Sequence, residues 1–439
     1  MVVPTYNERE NIAPLLQRLS NLALEDLHVL FVDDSSPDGT AEIAEACAQE
    51  LGQIHVLRRP VKSGLGSAYR SGFAWGIDQG YEILCQMDAD LSHEPDFAAK
   101  LWRARTQADI VIASRYTRGG ISYTSVVRNV LSRMLNLVLR RVLSMPVRDL
   151  SSGFRLYRRE AVAGLAIEGH NFEALEEILV KAYARGYSIF EVPFTYFPRE
   201  SGRSHARLIR FGWDLARSAL KLWWVRNSVA SADYDDRAFY SIIPVQRYWQ
   251  RRRHRIATFW VRGSSRILDV GCGSSLIIQS LNNAVGMDVS MGKMRFLRGR
   301  GIPLVRASAF TLPFKDDSFD CVISSQVIEH IPFDEALFTE MHRVLRTGGK
   351  LVIGTPDYAT IGWNIIEPLY GLLIPGGYHD EHITHYTRQS LTDVLVRHGF
   401  SHEETAYIAR SELIMRFRKT VATPVAADKP PAACAMGAT

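Results

Sequence analysis

No Cys-x-x-Cys pair occurs in the 439 residues. The five cysteines, Cys47, Cys85, Cys272, Cys321 and Cys434, are scattered, and four of them sit inside apolar or motif segments. That argues against a disulfide framework or a cysteine-rich zinc site, and a reducing cytoplasm is the simpler setting. Also missing is any apolar run approaching the ~20 residues that a membrane-crossing helix needs. No secretory leader precedes the first strand. The chain is therefore expected not to span a bilayer. Excess charge is small: 52 Lys and Arg against 47 Asp and Glu leave +5, too little to argue for a nucleic-acid partner. No repeat of solenoid period is present.

What is there reads as two successive α/β patterns. Apolar residues make up 46% and charged residues 23%, ordinary for globular domains with real cores. The first pattern covers 1–227, with strands predicted at HVLFVDD (28–34), QIHVLRR (53–59), YEILCQMDAD (81–90), ADIVIASR (108–115) and SIFEVPFTYF (188–197). Short apolar runs separated by helical stretches predict a mostly parallel sheet. Its first strand, in VVPTYNE, is nearly missing, which implies either a clipped edge or a start placed too late. Residues 228–263, including RYWQRRRHR (247–255), read as a helical lead-in with one solvated, basic face. The second pattern covers 264–420, through RILDVGCG, NAVGMDVS, PLVRAS, FDCVISS and GKLVIGTP. The Ala- and Pro-rich stretch 421–439 is expected to be a disordered tail.

The sharpest local feature is Asp88-Ala-Asp90. Alternation along a strand would put both carboxylates on one side. There they repel unless a cation lies between them, and Mg²⁺ or Mn²⁺ shared with substrate phosphates meets that need. Alone, such a triplet is equally at home in an exposed turn. Asp33 and Asp34 end a strand and open the turn SSPDGT, at the edge where open α/β sheets bind ligands. Helix capping is an equally simple role for them. Lys62, Gly64 and Gly66 form a basic, flexible loop before a helix at 67–79, a weak likeness of a phosphate loop.

Read in order, PTYNERENI (4–12), VDDSSPDGT (32–40), GLGSAYRSGF (64–73), MDADLSHEP (87–95), ASRY (113–116) and DLSSGFRLYRREAV (149–162) form a set. That set closely resembles family 2 glycosyltransferases of the dolichol-phosphate mannose synthase type, over nearly the whole first domain. EEILVKAYARGYSIFEVPFTYFPRESGRS (176–204) fits the same subfamily. The resemblance implies a GT-A-type nucleotide-sugar fold. It places Pro4, Tyr6, Glu8 and Asp33 at the nucleoside, and Asp88, Ala89 and Asp90 at the diphosphate, with Asp88 and Asp90 holding Mg²⁺ or Mn²⁺. Arg115, Arg133 and Arg199 would face phosphates of donor or acceptor. His205 stands where the family usually has Lys, so Arg203 becomes the substitute contact. The implied reaction is an inverting transfer of a hexose, foremost mannose from GDP-mannose, to a polyprenyl phosphate. Such an anion needs no general base. A sugar-hydroxyl acceptor would need one, and Asp149 or Glu177 are the candidates, although a cap or helix-face role is simpler for both. UDP-glucose or another donor stays open.

Two segments could meet lipid. In 125–143, Val127, Val130, Leu131, Met134, Val138 and Val142 fall on one helical stripe, with Arg128, Arg133, Arg140 and Arg141 largely off it. Interfacial helices have that pattern, and so do core helices with a wet outer face. The segment 209–225 carries Trp213, Trp223 and Trp224. Peripheral contact with the inner face of the membrane is the expectation.

In the second domain, RILDVGCGSS (266–275) is followed, seventeen residues after Gly271, by Asp288 at the end of NAVGMD. With ASAFTLPFKDDSFDCVISSQVIEHI (307–331) and MHRVLRTGGKLVI (341–353), this resembles class I S-adenosylmethionine (SAM) methyltransferases of type 11 over roughly 264–405. The resemblance implies a Rossmann-like fold in which Gly271 and Gly273 admit SAM and Asp288 binds its ribose. Ser308 stands where the family's adenine-binding Asp would be. The methyl acceptor is unidentified, with a glycolipid or sugar in view, and a non-catalytic binding module is the alternative. His330 and the cluster His379, His382 and His385 are available as bases. The cluster's spacing also suggests metal ligands, although a neutral loop is the simpler reading.

Overall fold

The computed structural model describes residues 1–420 apart from 23, 25, 51, 198–207 and 374–381. The stretch read as a tail, 421–439, lies outside the described residues. The chain divides into two compact units, Met1–Arg226 and Asn227–Thr439.

The strands of the first unit are short, most of them largely apolar runs. They are β1 (Val2–Thr5), β2 (Val29–Asp33), β3 (Ile54–Arg58), β4 (Ile83–Gln86), β5 (Ile110–Ser114), β6 (Ile121–Ser122), β7 (Arg155–Arg158), β8 (Ile189–Pro193) and β9 (Thr195–Tyr196). β2 and β5 are buried along their whole length, as strands covered on both faces are. The main sheet runs β3-β2-β1-β4-β7-β5-β8, and β6 pairs with β9 separately. Within the main sheet β7 alone is antiparallel to its neighbours, β4 and β5.

Several expectations are corrected here. β1 is no clipped edge; it pairs with β2 on one side and β4 on the other, in mid-sheet. The strand expected at 81–90 stops at Gln86, so the carboxylate pair lies in the turn beyond it. The run 188–197 breaks at Phe194, whose ring turns into the core. β7 escapes a pattern reading because Arg-Leu-Tyr-Arg looks like surface. Yet Arg155 is fully buried, donating to the carbonyls of Leu175 (2.5 Å) and Leu150.

The helix Val126–Val142 is inside out. It buries only Asn136 and Leu139, while its apolar stripe faces outward, with Val127 70% and Leu131 62% exposed. Asn136 explains the orientation: its side chain donates to Ser132 O (2.9 Å) and Ser151 Oγ (3.0 Å) and accepts from Leu150 N (2.7 Å). In the helix Leu208–Asn227, Leu222 joins the core and Trp224 is exposed. The Trp213 side chain lies outside the described residues. Among the described residues no helix is long and apolar enough to cross a membrane.

The second unit opens with the helices Tyr234–Phe239 and Pro244–Trp260. The basic face of the latter is only partly solvated: Arg253 and Trp249 both donate to the buried Glu412 carboxylate, Arg253 at 2.6 Å. Seven strands follow: β10 (Ile267–Val270), β11 (Ala284–Asp288), β12 (Leu304–Arg306), β13 (Phe319–Ser325), β14 (Leu345–Pro356), β15 (Phe400–Ile408) and β16 (Glu412–Lys419). Their order is β12-β11-β10-β13-β14-β16-β15, parallel except for β16. The order reverses direction between β10 and β13, the switch point at which open α/β sheets leave a ligand crevice.

Glycine marks the tightest contact in the first unit. Gly66 lies in the helix Leu65–Asp78, and a Cβ there would stand 2.4 Å from Ala174 Cβ and 2.5 Å from the Gly169 carbonyl oxygen. Alanine normally favours a helix interior by up to ~1 kcal/mol over glycine. Here the clash reverses the sign, and Gly66→Ala should destabilise the first unit by about 1–3 kcal/mol. A lower urea midpoint checks this; an unchanged or higher one contradicts it.

Candidate functional site

The carboxyl ends of β1, β2 and β4 converge on the first site. Asp33, at the end of β2, is buried and held by Thr5 Oγ1 (3.1 Å), Ser36 N (2.9 Å) and Ser36 Oγ. Asp34 is held by Arg59 (2.6 Å) and Ser63 N (3.1 Å). Tyr6 follows β1, with the Lys62 ammonium 3.4 Å above its ring centroid. Pro4 lies within β1, and Glu8 accepts from the Asn11 amide at 2.6 Å. In the loop at 62–66, Gly64 and Gly66 pack closely on residues 169–174, where a Cβ on either would clash.

Past β4, the chain turns through Asp88 and Asp90. The turn, rather than strand alternation, sets their geometry. Asp90 is buried and caps Ser92 N (3.1 Å) and its hydroxyl. Asp88 keeps 28% of its side chain exposed and accepts from Tyr69 Oη at 3.1 Å. Ala89 points into the core, which leaves its backbone to face the site. Gly153 faces the pair, and a Cβ there would be 3.3 Å from Asp88 Oδ2. The residues therefore fit a cation shared with a diphosphate: one accessible carboxylate, a second beside it, and a wall kept open by glycine.

Two positioning residues were missed by the sequence reading, although both stand in quoted motifs. Tyr69 is wholly buried, and its phenol is pushed well above its usual range by burial, with Asp88 adding to it. His93 is buried and takes the Asp88 backbone N–H on Nδ1 at 3.2 Å. Burial lowers its pKa, against the pull of Asp88, so the 3.9 Å approach of the two side chains is not an ion pair. Their motif positions were visible; their burial was not.

The arginines divide. Arg115 is committed to Asp149, with Nε at 2.8 Å, Nη2 at 2.7 Å and its own backbone N–H at 2.9 Å, and also reaches Ser151 Oγ at 2.8 Å. It is a brace for the site before it is a phosphate ligand. Arg133 is exposed on the helix Val126–Val142, 5.5 Å from the Tyr116 ring. Arg199, Arg203 and His205 lie outside the described residues. Neither candidate base is available. Asp149 is wholly buried under Arg115, and Glu177 takes the N–H groups of Glu168 and Gly169 and the Lys181 ammonium at 2.6 Å.

In the second unit, Gly271 and Gly273 both have positive φ, 70° and 56°. A Cβ on Gly271 would strike Val327 at 2.3 Å. Asp288 accepts from Gly273 N (2.8 Å) and Ser290 N (2.7 Å), locking the glycine loop to the end of β11. Asp269, on β10, is buried with Oδ2 unpartnered among the described residues, and burial, with Asp288 adding, pushes its carboxyl up to about 8. Ser324 Oγ, Ser325 Oγ and Gln326 Nε2, at the end of β13, are also buried without partners among the described residues. This crevice of unsatisfied polar groups fits a polar cofactor such as SAM. Asp235, from the lead-in, braces the loop through Ser274 N (3.1 Å) and Lys293 (3.2 Å), and no motif marks it. Ser308 is exposed. His385 stacks on Tyr358 at 4.0 Å, His382 and His330 face each other at 4.8 Å between ring centroids, and His379 lies outside the described residues.

The Arg115–Asp149 pair yields a pH test. Burial alone would raise the Asp149 carboxyl, but Arg115 holds it below its ordinary value. A depressed folded pKa gives stability that is present above the unfolded value of about 4 and lost as pH falls through the folded one. Asp149→Asn should cost about 3–5 kcal/mol at neutral pH, and the gap to wild type should close in acid. Urea midpoints from neutral to acid pH check this; a gap independent of pH contradicts it.

The profile of the family described as "Glycosyl transferase family 2" matches residues 1–165. That described as "Methyltransferase domain" matches 268–353. The chain is 39% identical over 215 residues to a polyprenol monophosphomannose synthase of Mycolicibacterium smegmatis, covering 46% of this chain and 79% of that protein. It is 39% identical over 208 residues to an undecaprenyl-phosphate mannosyltransferase of Micrococcus luteus, covering 46% and 85%. A dolichol-phosphate mannosyltransferase of Pyrococcus furiosus is 37% identical over 211 residues, covering 46% and 58%. The chain belongs to glycosyl transferase family 2, and behind that domain it carries the match to the methyltransferase-domain family.

Proposed function

We propose that the first unit transfers mannose from GDP-mannose to a polyprenyl phosphate at a membrane surface. The second unit then methylates a glycolipid or sugar with SAM. The names of the relatives support the sugar and the lipid. The observation that carries the acceptor assignment is the commitment of Asp149 and Glu177 to buried braces. With both candidate bases consumed, an acceptor that is already an anion suits this site better than a hydroxyl.

Pro4, Tyr6, Glu8 and Asp33 would form the nucleoside end. Asp88, with Asp90 beside it, would hold Mg²⁺ or Mn²⁺, which when bound neutralises charge on the departing diphosphate. Tyr69 and His93 keep Asp88 aimed and so orient the donor. Arg115, Arg133 and Arg199 are the cations proposed for phosphates of donor or acceptor, and Arg203 for the nucleotide sugar. The outward apolar stripe on Val126–Val142, flanked by Arg128, Arg140 and Arg141, supports peripheral attachment, and the inner, cytoplasmic face is the one proposed. In the second unit, Gly271, Gly273, Asp288 and Ser308 would contact SAM.

Purified protein with Mg²⁺ or Mn²⁺, a polyprenyl phosphate and either GDP-mannose or UDP-glucose should yield a hexosyl-phosphoryl lipid from GDP-mannose. Chelation should abolish the product, and Asp88→Ala should cut the rate at least a hundredfold, roughly the weight of a major electrostatic contact. Product only from UDP-glucose, or only on a sugar hydroxyl, would overturn the assignment. Flotation with anionic vesicles should be lost in the double variant Leu131→Glu, Met134→Glu; unchanged flotation would remove that helix from the membrane contact.

A further inference from the structure

A cluster at the carboxyl end of β13 is left unused by this account. The chain leaves β13 through Gln326, a non-glycine residue at φ 61°, and enters the short turn Ile328–His330. The loop bearing His382 is stitched to that turn. Ile383 N and Thr384 N donate to the Glu329 carbonyl at 2.7 and 3.1 Å, and Thr384 Oγ1 donates to the Ile331 carbonyl at 2.7 Å. One ligand atom from each of Glu329, His330 and His382 then falls within 4.8 Å of the others.

Two further observations separate this cluster from a chance grouping. Glu329 is fully buried, and among the described residues neither carboxylate oxygen has a hydrogen-bond partner. A buried carboxylate left in that condition calls for a cation or a ligand. His382 Nδ1 lies 2.8 Å from Glu367 Oε1 and 2.7 Å from Tyr358 Oη. A carboxylate behind the imidazole is the usual outer support of a metal-binding histidine.

We propose that Glu329, His330 and His382 form a binding site for a divalent transition metal, with coordination positions left for oxygens of a hydroxyl-bearing methyl acceptor. Two imidazoles and one carboxylate suit Zn²⁺, Co²⁺ or Fe²⁺ better than Mg²⁺ or Ca²⁺. The cluster stands at the strand edge that also carries Ser325 Oγ and Gln326 Nε2, both buried without partners among the described residues. An acceptor hydroxyl bound there loses its proton to solvent more readily. Its oxygen pair then takes the methyl of SAM, and the broken S–C bond pair stays on sulfur as the neutral thioether. That role rests on the SAM reading above; the binding of metal does not.

The test uses the full chain carrying Asp90→Asn, which weakens the proposed first-unit cation site, and titrates it with Co²⁺. Visible absorption reports imidazole ligation, and calorimetry reports the number of ions bound. One equivalent with imidazole-type absorption is expected. Glu329→Gln and His382→Asn should each lower its affinity at least a hundredfold, while Glu367→Gln lowers it about 10–100-fold. No such absorption, or affinity unchanged in both ligand variants, overturns the site. Should a ligand variant fail to fold, the Glu367→Gln titration decides, and undiminished affinity there counts against the proposal. SAM calorimetry on the same samples separates the failures: SAM binding without Co²⁺ ligation sinks the metal site alone, and Co²⁺ ligation without SAM binding sinks the methyl-transfer reading alone.

Discussion

The first site hangs on the buried pair between Arg115 and Asp149. Arg115 follows β5 and Asp149 precedes β7, so their bond ties the two strand ends together. Asp149 N and Arg148 N are in turn held by Glu191 on β8, at 3.0 and 2.9 Å. β7 can then return antiparallel between β4 and β5 and deliver Gly153 opposite Asp88. Arg155, one turn of chain later, fills the space beneath with carbonyl contacts rather than a counter-ion. Gln86 closes the floor by donating to Gly153 O at 3.1 Å and accepting from Tyr157 at 3.0 Å. A polar floor of this kind is stable only when nearly every member is satisfied, and it supports the turn at Asp88 from below.

Much of the fold was legible because buried parallel strands are apolar runs whatever surrounds them. Ile-Val-Ile-Ala-Ser at 110–114 reads as a core strand with no further information. β7 was not legible: Arg155 looks like a surface residue until the carbonyls that receive it are known. The motif Asp88-Ala-Asp90 marked the right turn, but the reasoning from strand alternation did not hold, since the strand ends two residues earlier. The roles of Tyr69 and His93 depend on which helix face and which loop meet Asp88, and spacing along one chain does not carry that.

The same limit applies to the second unit. Gly271, Gly273 and Asp288 are separated in sequence by a fixed short distance and could be read together. Asp235 acts on the same loop from far upstream, and Glu367 stands behind His382 from a different helix. Contacts of that kind come from the packed unit alone. On the helix Val126–Val142 the stripe was visible in the sequence but its direction was not. The polar anchor Asn136, bonded on three sides, turns that stripe outward, where a soluble helix would turn it in.

The central claim is that the turn at Asp88 receives a cation together with the donor's diphosphate. A crystal structure with Mn²⁺ and GDP, read by anomalous scattering, tests it most directly. The account predicts a Mn²⁺ peak on the Asp88 carboxylate, bridged to the diphosphate, with Arg115 still bound to Asp149. Mn²⁺ elsewhere, or a diphosphate bound in this crevice with no metal contact to Asp88, would contradict it.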